Sequence, residues 1–302
     1  MAATTATLSG QTAKQTEKKK NESIKRFLRT MFSRKIVLLG AVGVTFFVLV
    51  AIFVPVIATH DPNAIGGYDE RLLGSSAQHF LGTDYLGRDL FSRLVYGTRV
   101  SILTGVIATM LALIIGSFLG MLAAYFGGWV DKVLMGACET FTAIPQIAVS
   151  MTLITLFGGG MINMAIIMCV GAIPGMLRMM RASAMSIMSQ DYILAANLSG
   201  QSKLKILYQH VFPNSISPLI VSATQTVGST ILMESGLSFL GVGIKIPTAS
   251  WGSIINEARP YLLMQPMYVI WPCICLGLLI ISLNLLGDGI RDALDPSLRG
   301  EV

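Results

Sequence analysis

Charged residues are scarce in this sequence of 302 residues, because Asp, Glu, Lys and Arg together make up only 13% of it. A water-soluble domain carries about 25% of such residues. Hydrophobic residues reach 53%, and the mean hydropathy is +0.67. These values exclude an ordinary soluble protein. The few charges also cluster between long apolar runs, which is typical of a chain that crosses a lipid bilayer several times.

Cysteine is also rare, and all four cysteines fall inside apolar runs, at Cys138, Cys169, Cys273 and Cys275. A disulfide framework requires cysteines in loop-rich, oxidising regions, so none is expected here. Cys273 and Cys275 would point to different faces of a helix and could not chelate one metal ion. The sequence therefore predicts that these thiols are small packing residues.

Histidine is also rare, and this bears on whether the chain could bind a metal ion. The chain has three histidines, and two of them, His60 and His79, fall in one predicted loop where they could approach each other. Because no third ligand is apparent, we predict no metal site.

A nucleotide-binding loop ends in Gly-Lys-Ser/Thr, and no Gly-Lys pair occurs. The sequence thus predicts a chain without ATPase activity and without a cofactor of its own.

Six apolar runs are long enough to cross about 30 Å of hydrocarbon as helices. The predicted fold is therefore an all-α polytopic membrane protein with six transmembrane helices. Their predicted bounds are Ile36–Ile57, Val100–Phe126, Val133–Phe157, Met161–Leu177, Ile216–Leu240 and Met267–Leu286. Two prolines, Pro145 and Pro174, are expected to kink their helices.

The distribution of Lys and Arg predicts the orientation of these helices. Nine basic residues precede the first apolar run, so both the N-terminus and, after six crossings, the C-terminus are expected to be cytoplasmic. Residues 58–99 are then outside and residues 178–215 inside. The net charge of +6 indicates contact with acidic lipid rather than nucleic acid. Residues 1–23 are polar and Lys-rich, which predicts a disordered tail.

Two further stretches outside the spans have the apolar spacing of short helices. Asp89–Arg99 is predicted to form an interfacial helix before the second span. Ser250–Leu263 carries Trp251 and is predicted to form an aromatic anchor at the outer surface. For each stretch, bilayer anchoring and contact with a partner remain open alternatives.

The segment Asp191–Pro213 predicts a helical hairpin on the cytoplasmic side. Asp191 is expected to cap a first helix that ends at Ala196, and Gly200 is expected to supply the turn. A second helix over Lys203–His210 is expected to end before Pro213. The residues predicted to contact a partner are Tyr192, Ala195 and Ala196.

This hairpin resembles the "EAA" loop of permease subunits of bacterial ABC importers, in which Glu-Ala-Ala is followed by Gly and by Leu-Pro. The matching residues are Ala195, Ala196, Gly200 and Pro213, whereas Leu194 replaces the family's Glu and Phe212 its Leu. The resemblance implies that an ATPase subunit docks on the hairpin. The replacement at Leu194 removes one charged contact to that subunit.

Three other stretches resemble the C-type permease subunit of dipeptide and oligopeptide importers, a branch that also includes nickel and glutathione importers. They are His79–Asp89, Leu237–Gly243 with Ser250–Gly252, and Gly287–Pro296. The resemblance implies a type I importer fold with four parts. These are a basic tail (1–23), a region with the first span and external loop (24–95), a transmembrane domain (96–287) and a cytoplasmic tail (288–302).

The same resemblance implies the partners and the location of the chain. It would pair with a second permease in the bacterial inner membrane and receive substrate from an extracytoplasmic binding protein. Two separate ATPase subunits would bind ATP and Mg²⁺. The implied substrate is a peptide, with nickel, a metal chelate or glutathione as the alternative. A lone ion-coupled transporter and a membrane-bound enzyme are the other classes, but neither explains the hairpin.

Two acidic residues lie within predicted spans, Glu139 and Glu234. Charges at that depth are costly and tend to face a cavity or a partner. One interpretation is that both face the pore and bind a peptide amine or a cation. The other is that they pair structurally or lie nearer the membrane surface.

Overall fold

The computed structural model describes residues 34–294, and these residues are largely helical. Five helices are long and apolar enough to cross a membrane, or six if one bent pair counts as a single span. The prediction of an all-α polytopic fold is confirmed. The predicted disordered tail over residues 1–23, and residues 295–302 of the predicted C-terminal tail, lie outside the described residues.

The first span leads through a loop into the longest helix of the fold. Helices α1 (Lys35–Ile52) and α2 (Val54–Ile57) precede this loop, and α3 follows it over Leu90–Phe126. The carboxylate of Asp89 caps α3 by accepting a hydrogen bond of 2.8 Å from the Ser92 N–H. With 37 residues, α3 is about 55 Å long at 1.5 Å per residue.

The predicted interfacial helix over Asp89–Arg99 is wrong, because these residues form the first turns of α3 without a break. Most of their apolar side chains are buried against protein. Leu90 is fully buried and packs with Ile254 and Tyr268. The helical spacing was read correctly, but the face that it marks packs against protein.

The third predicted span is broken in the middle. It consists of α4 (Gly128–Thr142) and α5 (Gln146–Phe157), which are bent by 87° relative to each other. Pro145 lies at the break, where its ring disfavours helical geometry in the preceding residue. The predicted kink at Pro145 is therefore a complete interruption.

Helix α6 (Met161–Met188) forms the centre of the bundle together with α3. It continues well past Leu177, where the sequence placed the end of the span, and it contains Pro174 without a break. The two helices come close at Gly116 and Gly120 of α3. A Cβ atom at either position would lie 2.5 Å from an atom of α6.

The rest of the described chain forms the hairpin, a long helix, a short helix and the last span. These are α7 (Asp191–Leu198), α8 (Lys203–Ile206), α9 (Phe212–Phe239), α10 (Trp251–Ala258) and α11 (Met267–Leu294). A π-helical turn over Leu207–Val211 joins α8 to α9.

The predicted aromatic anchor is also wrong. Trp251 is fully buried, and its Nε1–H donates a hydrogen bond of 3.2 Å to the Leu94 carbonyl of α3. Phe47 of α1 packs edge-on against its ring at 5.7 Å. Trp251 therefore holds the outer helix α10 to the bundle, because its indole N–H finds a partner away from lipid.

Candidate functional site

The predicted hairpin is present at the end of the bundle where α3 finishes. Helix α7 ends at Leu198, and Gly200 turns the chain with φ of +76°, a conformation that favours glycine. Two details differ from the prediction. Gln190, not Asp191, precedes the helix, and no side chain caps it.

Pro213 does not end the second helix of the hairpin. The π-helical turn over Leu207–Val211 leads directly into α9, so Pro213 lies in the first turn of α9. Proline is tolerated there because its missing N–H belongs to the first turn. The hairpin is thus continuous with a membrane-spanning helix.

One side of the hairpin packs into the membrane bundle. Ile193, Ile206 and Val211 are buried in one cluster with Met121 of α3 and Met180 of α6. Ala196, predicted as a contact residue, is partly buried against the same cluster. A displacement of the hairpin would therefore be transmitted to α3 and α6, because close-packed side chains do not deform independently.

Several apolar side chains of the hairpin are exposed. Tyr192 is 46% exposed, Leu194 55%, Leu198 90% and Tyr208 76%. We call these four residues the hairpin knob; Ala195 lies beside them and is also exposed. Several exposed apolar side chains on one short hairpin are typical of a surface that binds another protein.

A buried ionic network holds the opposite end of the molecule together. Arg88 donates to Asp84 at 2.5 Å and to Glu257 at 2.6 Å. Arg93 approaches Asp84 at 3.3 Å and donates to Glu257 at 2.9 Å. Burial lowers the pKa of the Arg88 guanidinium, but the attraction of Asp84 and Glu257 outweighs it, so the net pKa is above its usual value.

This network joins two stretches that are distant in the sequence. Asp84 and Arg88 belong to the segment His79–Asp89, and Glu257 belongs to α10, which the sequence did not connect with it. Sequence reasoning did not identify these four residues as a unit. The available signal was local: Asp84 and Arg88 lie four residues apart in one loop, and Arg93 follows in the first turn of α3.

The two acidic residues predicted to face the pore have different surroundings. Glu139, on α4, is exposed. Glu234 is fully buried and accepts hydrogen bonds from Ser238 at 2.7 Å and from Ser101 at 3.3 Å. In this conformation Glu234 therefore joins α9 to α3 and does not face an open pathway, in line with the structural alternative.

A polar cavity of about 320 Å³ lies beside the break between α4 and α5. It lies between this break and helices α6 and α9. Its polar lining residues are Thr142, Gln146, Arg178, Thr226, Ser229 and Thr230. Arg178 is exposed there. Polar and cationic groups on the inner helices of a membrane bundle are characteristic of a solute pathway.

The external loop brings His60 and His79 together, and it adds a third group that the sequence analysis missed. One ligand atom from each histidine and one from Asp89 all lie within 4.8 Å of one another. Asp89 is thus a candidate third ligand beside the two histidines, and the expectation of no metal site stays a prediction. Sequence reasoning did not single out Asp89, whose carboxylate also caps α3.

Comparison with known families finds two matches along the chain. The family "binding-protein-dependent transport system inner membrane component" matches residues 116–300. The family "N-terminal TM domain of oligopeptide transport permease C" matches residues 24–78.

Curated relatives match over most of their length. The glutathione transport system permease protein GsiD of Pectobacterium atrosepticum is 33% identical over 275 residues, which cover 91% of each chain. The dipeptide transport system permease protein DppC of Alkalihalophilus pseudofirmus is 35% identical over 265 residues, covering 88% of this chain and 87% of the relative. GsiD of Escherichia coli is 36% identical over 274 residues, covering 91% and 90%.

A solved structure has the same fold. A chain of the MetNI methionine ABC transporter in an inward-facing conformation superposes with a TM-score of 0.55 and 18% identity, covering 67% of this chain and 97% of that one. At this identity the similarity shows the fold alone.

Proposed function

Because this chain belongs to the family of binding-protein-dependent transport system inner membrane components, we propose that it forms, with a second permease, the channel of an ATP-driven importer of short peptides. The chain is a multi-pass membrane subunit of that family. Its location would be the inner membrane of a bacterium, with an extracytoplasmic binding protein delivering substrate.

The hairpin is the observation that carries this proposal. It is an apolar surface on a short element that is packed directly onto α3 and α6. We propose that each of two ATPase subunits receives such a hairpin, one from this chain and one from its partner permease. ATP and Mg²⁺ would bind to the ATPase subunits, and this chain would need no cofactor.

Leu194 is consistent with a docking contact that is apolar here. A Glu at this position would present a charge to the partner, whereas Leu194 presents a side chain that is 55% exposed and adjoins Leu198 at 90%. Burying an exposed leucine against another protein stabilises a complex by about 1.5–3 kcal/mol. The loss of one charged contact is thus offset by apolar contact area.

The polar cavity supports a pathway on the face formed by α6, α9 and the break between α4 and α5. Arg178 would attract a carboxylate, and the nearby hydroxyls would replace water around a peptide backbone. Glu139 is exposed on α4 and would face either this pathway or the second permease.

Short peptides are the substrate class that best accounts for both kinds of relative. The relatives are named for dipeptide and for glutathione, and glutathione is itself a small peptide with free carboxylates. Nickel or a metal chelate is the alternative within the same architecture. Deletion of the chain should abolish uptake of labelled dipeptide or glutathione and leave nickel uptake unchanged.

Docking is tested by placing a charge on the hairpin knob. We expect Leu198→Glu to reduce co-purification of the ATPase subunits at least tenfold, because a carboxylate would be desolvated in an apolar interface. The chain itself should insert and fold normally, since Leu198 is 90% exposed. Leu198 is a better position for this substitution than Ala196, because Ala196 is partly buried against the bundle and its replacement would also disturb packing.

Leu263→Glu is the matched control for this experiment. Leu263 is 98% exposed and lies after α10, at the end of the bundle away from the hairpin. This variant should retain the ATPase subunits. If Leu198→Glu also retains them and couples ATP hydrolysis to uptake as the wild type does, the hairpin is not the docking element.

The pathway is tested at Arg178. We expect Arg178→Gln to retain the ATPase subunits and to reduce uptake of a dipeptide about tenfold, because a carboxylate loses its charged partner. A substrate amidated at its C-terminus should be affected less. Equal loss for both substrates would contradict a role of Arg178 in binding the carboxylate.

A further inference from the structure

Three segments of the external face converge on one small cluster of potential metal ligands. His60 follows α2, His79 lies in the loop, and Asp89 begins α3. We propose that His60, His79 and Asp89 form a binding site for a borderline divalent transition metal such as Zn²⁺. This site is separate from the polar cavity and from the hairpin.

The two distances between a histidine nitrogen and the Asp89 carboxylate are close to those expected around a single ion. Nδ1 of His79 lies 2.9 Å from Oδ1 of Asp89, and Nδ1 of His60 lies 3.8 Å from the same oxygen. Two ligands of a tetrahedral zinc ion, each about 2.0–2.2 Å from the metal, lie roughly 3.3 Å apart. The two observed distances bracket this value, so small shifts of the side chains would place a metal between them.

The ligands are held in place by other contacts. The second oxygen of Asp89 accepts from the Ser92 N–H at 2.8 Å and from the Thr59 hydroxyl at 3.4 Å, which leaves Oδ1 directed toward the histidines. The backbone N–H of His60 donates to Ser92 Oγ at 3.0 Å. Outer contacts of this kind orient the ligands of metal sites.

The site is also accessible. The side chain of Asp89 is 1% exposed and that of His79 15%, whereas that of His60 is 43% exposed. An ion could therefore enter from the side of His60, and water could fill the remaining coordination position. Two imidazoles and one carboxylate favour zinc, copper or nickel over magnesium or calcium, which prefer oxygen ligands.

One electrostatic effect opposes a cation here. The N-terminus of α3 carries a partial positive charge that disfavours a bound metal. The Asp89 carboxylate lies between this helix end and the histidines and compensates for that charge. A bound ion would join the chain after α2 to the start of α3, and would thereby fix the external loop against the bundle.

The test uses the purified full chain in nanodiscs, with an affinity tag that contains no histidine. We expect the wild type to retain one Zn²⁺ per chain after gel filtration, measured by mass spectrometry of the metal. His60→Ala and His79→Ala should each weaken zinc binding, measured against a chromophoric chelator. The loss should exceed the ~10- to 100-fold typical of removing an outer contact.

Three further variants separate the ligands from other sources of binding. Asp89→Asn preserves the helix cap, since Asn caps as well as Asp, and should still lose zinc. His210→Ala, which removes the histidine of the hairpin, should bind zinc as the wild type does. The double variant Cys273→Ser, Cys275→Ser should also bind zinc as the wild type does, because the two thiols that it removes lie on α11 and not in the cluster.

Thermal unfolding provides a second measurement. Zinc should raise the melting temperature of the wild type with the logarithm of its concentration above the Kd, and it should not do so for His60→Ala. A wild-type chain that takes up no zinc at micromolar concentration would overturn the proposal. So would unchanged zinc binding in both histidine variants, because the cluster would then be only hydrogen-bonded.

Discussion

At the scale of single residues, the external face is organised by buried charges. Two arginines and two carboxylates form the network of Asp84, Arg88, Arg93 and Glu257, and the side chains are at most 6% exposed. Charges removed from water are tolerated only when they are paired, because desolvation costs several kcal/mol per ion. The network balances two positive charges against two negative ones.

Glu257→Gln is expected to destabilise this face strongly. The substitution leaves Arg88 and Arg93 with Asp84 as their only carboxylate within the described network. An uncompensated buried charge costs about 3–5 kcal/mol. The measurement is thermal unfolding of the purified chain, followed by the fluorescence of a dye that labels newly exposed cysteines.

Asp69→Asn is the control, because Asp69 is exposed in the same external loop. It should change stability by no more than about 0.5 kcal/mol. If Glu257→Gln unfolds at the same temperature as Asp69→Asn, the network does not contribute to stability as its burial implies.

At the scale of secondary-structure elements, the central contact is the one between α3 and α6. It depends on glycines, because a Cβ at Gly120 would lie 2.5 Å from the carbonyl oxygen of Leu177 and 2.8 Å from Cβ of Met180. The first of these atoms belongs to the backbone and cannot move aside. Small residues allow membrane helices to approach in this way.

Gly120→Ala is therefore expected to push α3 and α6 apart and to destabilise the chain by about 1–3 kcal/mol, the usual cost of overpacking. Gly136→Ala is the matched control in helix α4, because its Cβ would meet nothing within 4 Å. It should be neutral or slightly stabilising, since alanine is the better helix former. Equal effects of the two variants in thermal unfolding would contradict a close contact at Gly120.

The sequence predicted most of the helices, but it did not predict how they pack against one another. Apolar runs located the spans because a bilayer imposes length and composition on every helix that crosses it. The same runs could not reveal the break at Pro145 or the extension of α3 to Leu90. A proline can either kink or interrupt a helix, and an apolar helical face can meet either protein or lipid, and hydropathy does not distinguish these outcomes.

The sequence predicted those parts of the candidate sites that depend on local patterns, but not those that depend on tertiary contacts. The hairpin and its glycine turn followed from local patterns, since a φ of +76° at Gly200 is a local requirement. The cluster of His60, His79 and Asp89 did not, because the fold joins residues from separate segments. Glu234 was recognised as unusual, but its partners Ser101 and Ser238 are evident only once α3 and α9 are packed together.

At the scale of the whole molecule, α3 joins two ends with different properties. Its first residue, Leu90, follows directly on Asp89 of the proposed metal site and packs with Ile254 and Tyr268, and Met121 near its other end packs with the hairpin. These ends are about 55 Å apart along a helix of 37 residues. That length exceeds the thickness of a bilayer, so the two ends should be on opposite sides of the membrane.

This arrangement predicts which positions react with an impermeant reagent. In a chain whose four native cysteines have been replaced, Leu263→Cys should react with a membrane-impermeant maleimide in intact spheroplasts. Leu198→Cys should react only after permeabilisation. The two positions are 98% and 90% exposed, so a difference in labelling reports the side of the membrane and not burial.

The chain should be expressed without its partner subunits for this measurement, because a docked ATPase would also protect Leu198 from the reagent. Labelling of Leu198→Cys in intact spheroplasts would place the hairpin outside. It would then have no access to ATP, and the proposal that ATP hydrolysis drives transport through this hairpin would fail. The fold would be unaffected by that result, because the helix contacts do not depend on which side of the membrane each end occupies.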